Sequence, residues 1–186
     1  MIAEIEDAVI ERCRQMVGNH VRTIEDLPGK WDENTLRAAR RQVPGIYVAW
    51  SGGSAESATR PLIRARLAVY VVTGHASGER ARRRGNDRDM GAYELLEQLV
   101  PALHNFTIQG IGSLLLQSVD NLYSDSADRD GVMIHGASFE IKTMFPAPRE
   151  IGELADFATF SATHDVGDGP DTESHLELPT GSKETP

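Results

Sequence analysis

The sequence holds a single cysteine, Cys13, which excludes an internal disulfide and any cysteine zinc cluster and fits a reducing compartment. Its expected role is that of a small apolar residue packed on a helix. No apolar run approaches the ~18 residues of a membrane-spanning helix. The opening stretch "MIAEIEDAVIERCRQM" carries acids where a secretory signal carries positive charge, and it lacks an uninterrupted apolar core. Neither membrane insertion nor export is expected.

Chemistry is missing as well. There is no G-x-x-x-x-G-K-[ST] phosphate loop and no strand-linked G-x-G-x-x-G; "GIGSLLL" supplies half of the second pattern and leads into a strand. In "GHASG" the serine, Ser77, stands fourth, whereas a nucleophile elbow needs it third. His20, His75, His104, His135, His164 and His175 are scattered, with no pair at the i, i+4 spacing of a helical zinc site. "DSADRDG" concentrates acids before Gly131, yet the twelfth position counted from Asp125 is Gly136, where a calcium loop requires a bidentate glutamate. A solvated hairpin tip is the expected reading there. The glycines after Trp50 read as a plain connection. No catalytic, metal or cofactor set emerges, so a non-enzyme is expected.

Charge is unevenly spread. The formal net charge is -9, but residues 151–186 hold eight acids against Lys183, a net of -7, leaving the first 150 residues at -2. A body this close to neutral has to use a local patch if it touches nucleic acid.

The apolar pattern predicts one domain over residues 1–145 and an acidic extension over 146–186, with Pro146 and Pro148 marking the boundary. Ile2, Ile5, Val9, Cys13 and Met16 recur at helical spacing and predict a helix ended at Gly18-Asn19. Val21 and Ile24 suit a short strand. "WDENTLRAARRQ" predicts a short helix capped by Asp32, with Leu36, Ala39 and Val43 buried. "GIYVAW" and "RPLIRARLAVYVVTG" read as antiparallel strands joined by a loop over residues 51–60. "MGAYELLEQLVPALHN" predicts a helix with Tyr93, Leu96, Leu99, Val100 and Leu103 inward and Pro101 able to kink or shorten it. "GIGSLLLQSVDNLYSD" and "GVMIHGASFEIKTMF" close the set as two strands, the second with Met133, His135, Ala137, Phe139 and Ile141 on a buried face and the other face mostly wet. The fold class is α+β: a mixed, largely antiparallel sheet of four to five strands flanked by helices. Residues 151–166 retain apolar positions such as Ile151 and Phe157; from Gly167 onward the polar, Pro/Gly-rich composition suits a flexible tail.

What stands out is "TGHASGERARRRGNDRDMGAY", with Arg80, Arg82, Arg83, Arg84 and Arg88 inside nine residues. Four glycines predict a mobile loop over residues 77–90 between strand and helix. Glu79, Asp87 and Asp89 partly neutralise it, and no aromatic platform for stacking bases is interleaved. Three readings stay open: docking on acidic protein surfaces through guanidinium–carboxylate forks, electrostatic contact with nucleic acid, and a solvated loop without partner.

The succession "IAEIEDAVIERCRQ", "VRTIEDLPGKWDENTLRAARRQVPGIYVAWSGG", "ARLAVYVVTGHASGERARRRG", "MGAYELLEQLVPALHN" and "GIGSLLLQSVDNLYSD" resembles a family of small proteins of Mu-like contractile-tailed bacteriophages and prophages, encoded just ahead of the tail sheath. The resemblance covers about residues 2–145 as a whole, carries no single diagnostic motif, and leaves out the segment after Pro146. It implies a tail terminator: a hexameric ring without cofactor that stops tube and sheath growth. Its implied partners are sister copies, tail tube and sheath proteins, neck or connector proteins, and DNA in the lumen by non-specific contact. Its implied location is the virion tail and neck, after assembly in the host cytoplasm. On that footing Arg80, Arg82, Arg83, Arg84 and Arg88 are expected to form an assembly contact.

Overall fold

The computed structural model describes residues 1–27, 32–74, 78–86, 89–122 and 131–148, together with the backbone of 159–164 and 172–177. The chain divides into two units, Met1–Pro146 and Ala147–Pro186.

The first unit is built on a five-stranded sheet. Its strands are β1 (Thr23–Asp26), β2 (Gly45–Ala55), β3 (Leu62–Gly74), β6 (Leu115–Asn121) and β7 (Val132–Met144), in the order β1-β2-β3-β7-β6. Only β1 runs parallel to its neighbour; the other pairs are antiparallel. A separate two-stranded ladder joins β4 (Thr107–Ile108) to β5 (Gly112–Ser113). Helices α1 (Ile2–Val17), α2 (Glu33–Arg41), α3 (Glu79–Arg84) and α4 (Ala92–Leu103) complete the unit. The α+β class with a mixed sheet is the one expected from the sequence.

Each face of the sheet has its own cover. Ile46 and Val48 of β2, Ala65, Leu67, Val69 and Val71 of β3, and Ala137, Phe139 and Ile141 of β7 pack with α1 and α4 into the main core. The intervening residues Tyr47, Val72, Val132 and Ile134 pack with Leu36 and Ala39 of α2 in a second cluster. This corrects the expectation that one face of β7 is mostly wet. The strand is buried on both sides from Val132 to Gly136 because α2 covers the second face at that end.

The helices form for local reasons that the sequence displays. Asp32 caps α2, its carboxylate accepting the N–H of Thr35 at 2.9 Å, a contact worth about 1 kcal/mol. In α1, Ile5, Val9 and Cys13 are buried as expected, but packing against both sheet and α4 widens the stripe with Ile10 and Val17, while Met16 is exposed. Trp50 N–H donates to Glu6 at 2.9 Å and Arg12 Nε to Ala102 O at 3.3 Å, tying α1 to β2 and α4. In α4 the inward residues are Ala92, Leu95, Leu96, Leu99 and Leu103; Tyr93, expected inside, is 39% exposed. Pro101 lies within the last turn of α4 and does not end it, since the helix runs to Leu103 and His104 N–H still bonds Val100 O at 2.9 Å.

Two further differences concern connections. Residues 51–55, expected as loop, continue β2 past a bulge between Trp50 and Gly53, where Gly52 adopts φ +91°. A Cβ at Gly53 would stand 3.0 Å from Arg64 O, so a side chain there would require the β2–β3 ladder to give by a few tenths of an ångström. The "GIGSLLLQSVDN" stretch is divided between β5 and β6 instead of forming one strand. The hairpin tip expected between β6 and β7 falls on residues 123–130, outside the described residues.

In the second unit, β8 (Thr159–His164) pairs antiparallel with β9 (Thr172–Glu177), so part of the stretch expected to be a flexible tail holds a strand.

Candidate interaction site around the arginine helix

The arginine stretch is a short helix, not a loop. Gly78 at φ +98° precedes α3 and Gly85 at φ +74° ends it, both conformations that side chains resist. The glycines expected to confer mobility serve a different purpose. A Cβ on Gly91, which opens α4, would collide with the backbone of Arg83, Arg84 and Gly85. The end of α3 therefore sits backbone to backbone on the start of α4. Gly85 N–H donates to Ala81 O at 2.8 Å, Asn86 N–H to Asp89 O at 2.9 Å, and Asp89 N–H to Asn86 Oδ1 at 3.0 Å. From the sheet, Thr73 Oγ1 donates to Arg82 O at 2.9 Å. The acid Glu94, whose carboxylate accepts Gly91 N–H at 3.2 Å, completes this closure.

So mounted, the arginines differ. Arg80 and Arg84 are exposed, whereas Arg82 and Arg83 are half-buried. Arg83 Nε lies 3.5 Å from Glu79 Oε1, one helical turn back. Arg88 lies outside the described residues. Arg82 joins Arg22, Pro44, Thr73, Asp89 and Met90 around a recess of about 190 Å³. Arg22, which precedes β1, carries no signal in the sequence pattern; only the β1–β2 pairing brings it beside α3.

On the α4 side, β7 contributes His135, 4% exposed. Its imidazole pKa is held below the usual histidine value, first by burial and then by the positive charge of Arg83. Tyr93 packs edge-on against it at 5.7 Å between centroids. Together with Leu96, Glu97, Val119 and Asn121 they line a shallow groove beside β6, the outermost strand of the sheet on that side. The pairing of Tyr93 with His135 has no signal in the sequence, where Tyr93 fits the inward face of α4 and His135 is one of six scattered histidines.

Among the described residues no group of three or more His, Cys, Asp or Glu gathers as a metal site. Burial pushes the Cys13 thiol up to about 12, which leaves it protonated and inert. No described helix is long and apolar enough to cross a membrane. At the far end of the sheet, Arg64 pairs with Glu56 and lies 3.3 Å from Glu140, and Lys142 lies 3.0 Å from Glu56. Those charges are matched among themselves.

The fold and the site define a small α+β protein that presents a fixed cationic helix and a sheet edge on its surface. The chain belongs to the family described as "Bacteriophage Mu, Gp37", which it matches over residues 1–144. It is similar to the "Mu-like prophage FluMu protein gp37" of Haemophilus influenzae, 31% identical over 189 residues that cover 98% of this chain and 93% of the relative. It is also similar to the "Probable tail terminator protein" of Escherichia phage Mu, 27% identical over 179 residues covering 96% of this chain and 94% of that one. The family match stops where the first unit ends, as the resemblance in the sequence does. Both relatives, however, align on into the extension, beyond the residues that carry that resemblance.

Proposed function

We propose that this chain is a tail terminator of a Mu-like contractile-tailed phage: a non-enzymatic protein that assembles as a hexameric ring, caps the tail tube and sheath, and joins the tail to the neck. The observation that carries this reading is the alignment, along nearly the full length of both chains, with the phage Mu protein named a probable tail terminator. The fold supports it in two ways. The two edges of the sheet are unlike, β1 having four residues and β6 seven, which suits head-to-tail contacts of the kind that close rings. The charged side chains of α3 are held on a fixed mount suited to setting register between neighbours. In this reading the protein assembles in the host cytoplasm and resides in the virion, with the first unit forming the ring body and the acidic extension reaching a neighbouring component.

Deleting the gene from the parent virus tests the proposal. Induced lysates are expected to contain full heads and unjoined tails of irregular length by electron microscopy, with joining restored by a complementing copy. Native mass measurement of the purified protein is expected to give six copies. Normal joined particles without the gene overturn the reading.

A further inference from the structure

The recess shared by Arg22 and Arg82 belongs to a wider pattern that only the topology creates. At one end of the sheet β1 and β2 begin, β3 ends and β7 begins, as the register pairs Thr23↔Gly45, Gly45↔Val72 and Gly74↔Val132 require. Arg22 stands directly before β1, its N–H donating to Pro44 O at 2.8 Å. Arg40 and Arg41 form the last turn of α2, which returns to the start of β2. Beyond the end of β3 comes α3 with its four arginines. Three segments far apart in sequence thus bring their cationic residues to the same end of the sheet. Arg22, Arg40, Arg41, Arg80 and Arg84 are exposed and Arg82 and Arg83 half-buried. Glu79 and Asp89 are interspersed among these seven arginines, and Glu79 lies against Arg83, so the local balance stays cationic.

The chemistry of this end discriminates between partners. Stable protein interfaces are anchored by buried aromatic or aliphatic side chains, with charge at the rim. Of the exposed large apolar residues of the described chain, Leu115, Met144 and Phe145 lie toward the opposite end, Met16 on α1 and Val119 on β6, while Tyr93 and Leu122, beside His135 and Ile134, flank the arginine end on its β6 side. The segments that carry the arginines, Arg22, the last turn of α2 and α3, include none of these residues, so the guanidinium groups there have no such anchor among them. A phosphate backbone asks for nothing more, since its binding is driven by charge neutralisation and counterion release. Strands spaced about 4.8 Å apart put β1 and β7 about 14 Å from one another, and that distance covers about four base-pair steps of duplex.

We infer that this arginine end of the sheet, Arg22, Arg40 and Arg41 together with α3, grips the backbone of duplex DNA without reading its sequence. The inference deepens the terminator reading by naming a partner for the arginine helix, and rests on that reading for DNA being within reach.

The test is fluorescence anisotropy of a labelled mixed-sequence DNA duplex titrated with the full-length protein between about 50 and 200 mM salt. Affinity is expected to fall steeply with salt, and Arg40→Ala/Arg41→Ala is expected to flatten the log–log slope by about 2, close to one unit for each phosphate no longer neutralised. Arg80→Ala/Arg84→Ala, on a different element, is expected to flatten it similarly. Arg60→Ala, in the β2–β3 connection at the opposite end, is expected to leave the slope unchanged. Circular dichroism melts matching the parent chain establish that each variant is folded. Absence of DNA binding at the lowest salt overturns the inference, as do slopes equal to the parent's in both double variants. Retention of the protein by polyglutamate but not by DNA also overturns it and assigns the surface to an acidic protein. Normal head-to-tail joining in the complementation experiment alongside absent DNA binding leaves the terminator reading standing while this inference falls.

Discussion

Tyr93 stands edge-on to His135, the ring centroids 5.7 Å apart and the planes at 81°. The contact seals an imidazole whose Nδ1 has no hydrogen-bond partner among the described residues, at the point where α3, α4 and β7 meet. Charging that ring is unfavourable both because it is buried and because Arg83 is near.

Its consequence is a pH-dependent stability with a definite sign. The folded-state pKa of His135 lies below the unfolded value of about 6.5, so the unfolded chain binds the proton more readily. The contribution is fully present above that value and is lost as pH falls through it toward the lower folded pKa. Urea unfolding at pH 7.5 and pH 5.5 is expected to show lower stability at the acid value, and His135→Phe to reduce the difference. Equal pH dependence in parent and variant contradicts the assignment. Glu97 and Asp120 across the groove and Glu79 on α3 are the acids to hold in view when the profile is fitted.

Gly91→Ala probes the backbone contact between α3 and α4. At φ -84° the residue has an ordinary conformation, so any cost is steric, from the clash with Arg83, Arg84 and Gly85. The expected loss is about 2 kcal/mol, read as a lowered urea midpoint with faster amide exchange across residues 79–86. An unchanged midpoint argues that the two helices separate freely.

Replacing Arg82, Arg83 and Arg84 together with alanine is expected to leave the melting curve nearly in place. The sheet holds α3 through the main-chain carbonyl of Arg82, and alanine keeps that carbonyl. The same triple variant is expected to lower the yield of infectious particles in complementation. A normal titre makes the helix dispensable for assembly.

Truncation after residue 166 is expected to leave the first unit melting cooperatively, because every described residue of the main core belongs to that unit. Absence of a cooperative transition in the shortened chain contradicts this.

Local regularities carry most of the fold. The runs around Ile46, Leu67 and Phe139 are β-branched and apolar enough to announce central strands, and Asp32 announces the start of α2 by the chemistry of its side chain. Where expectation and structure part, a neighbour distant in sequence decides. α2 buries Ile134 on the face of β7 that alternation alone leaves wet. Gly52 supplies a bulge that keeps residues 51–55 in the ladder. Gly85 and Gly91, which look like sources of freedom, are close-approach positions that deny it. The arginines of α3 are conspicuous in the sequence, but Arg22, Arg40 and Arg41 are not, since their proximity to α3 exists only after the strands have paired.

The backbone contact at Gly85 and Gly91 separates the mount from its load. Because α3 is fastened through main-chain atoms, exchanging the outward side chains at positions 80 and 84 leaves that attachment untouched. On the proposed reading, the strength of the grip can be adjusted at those two positions, with the joint beneath them unaltered.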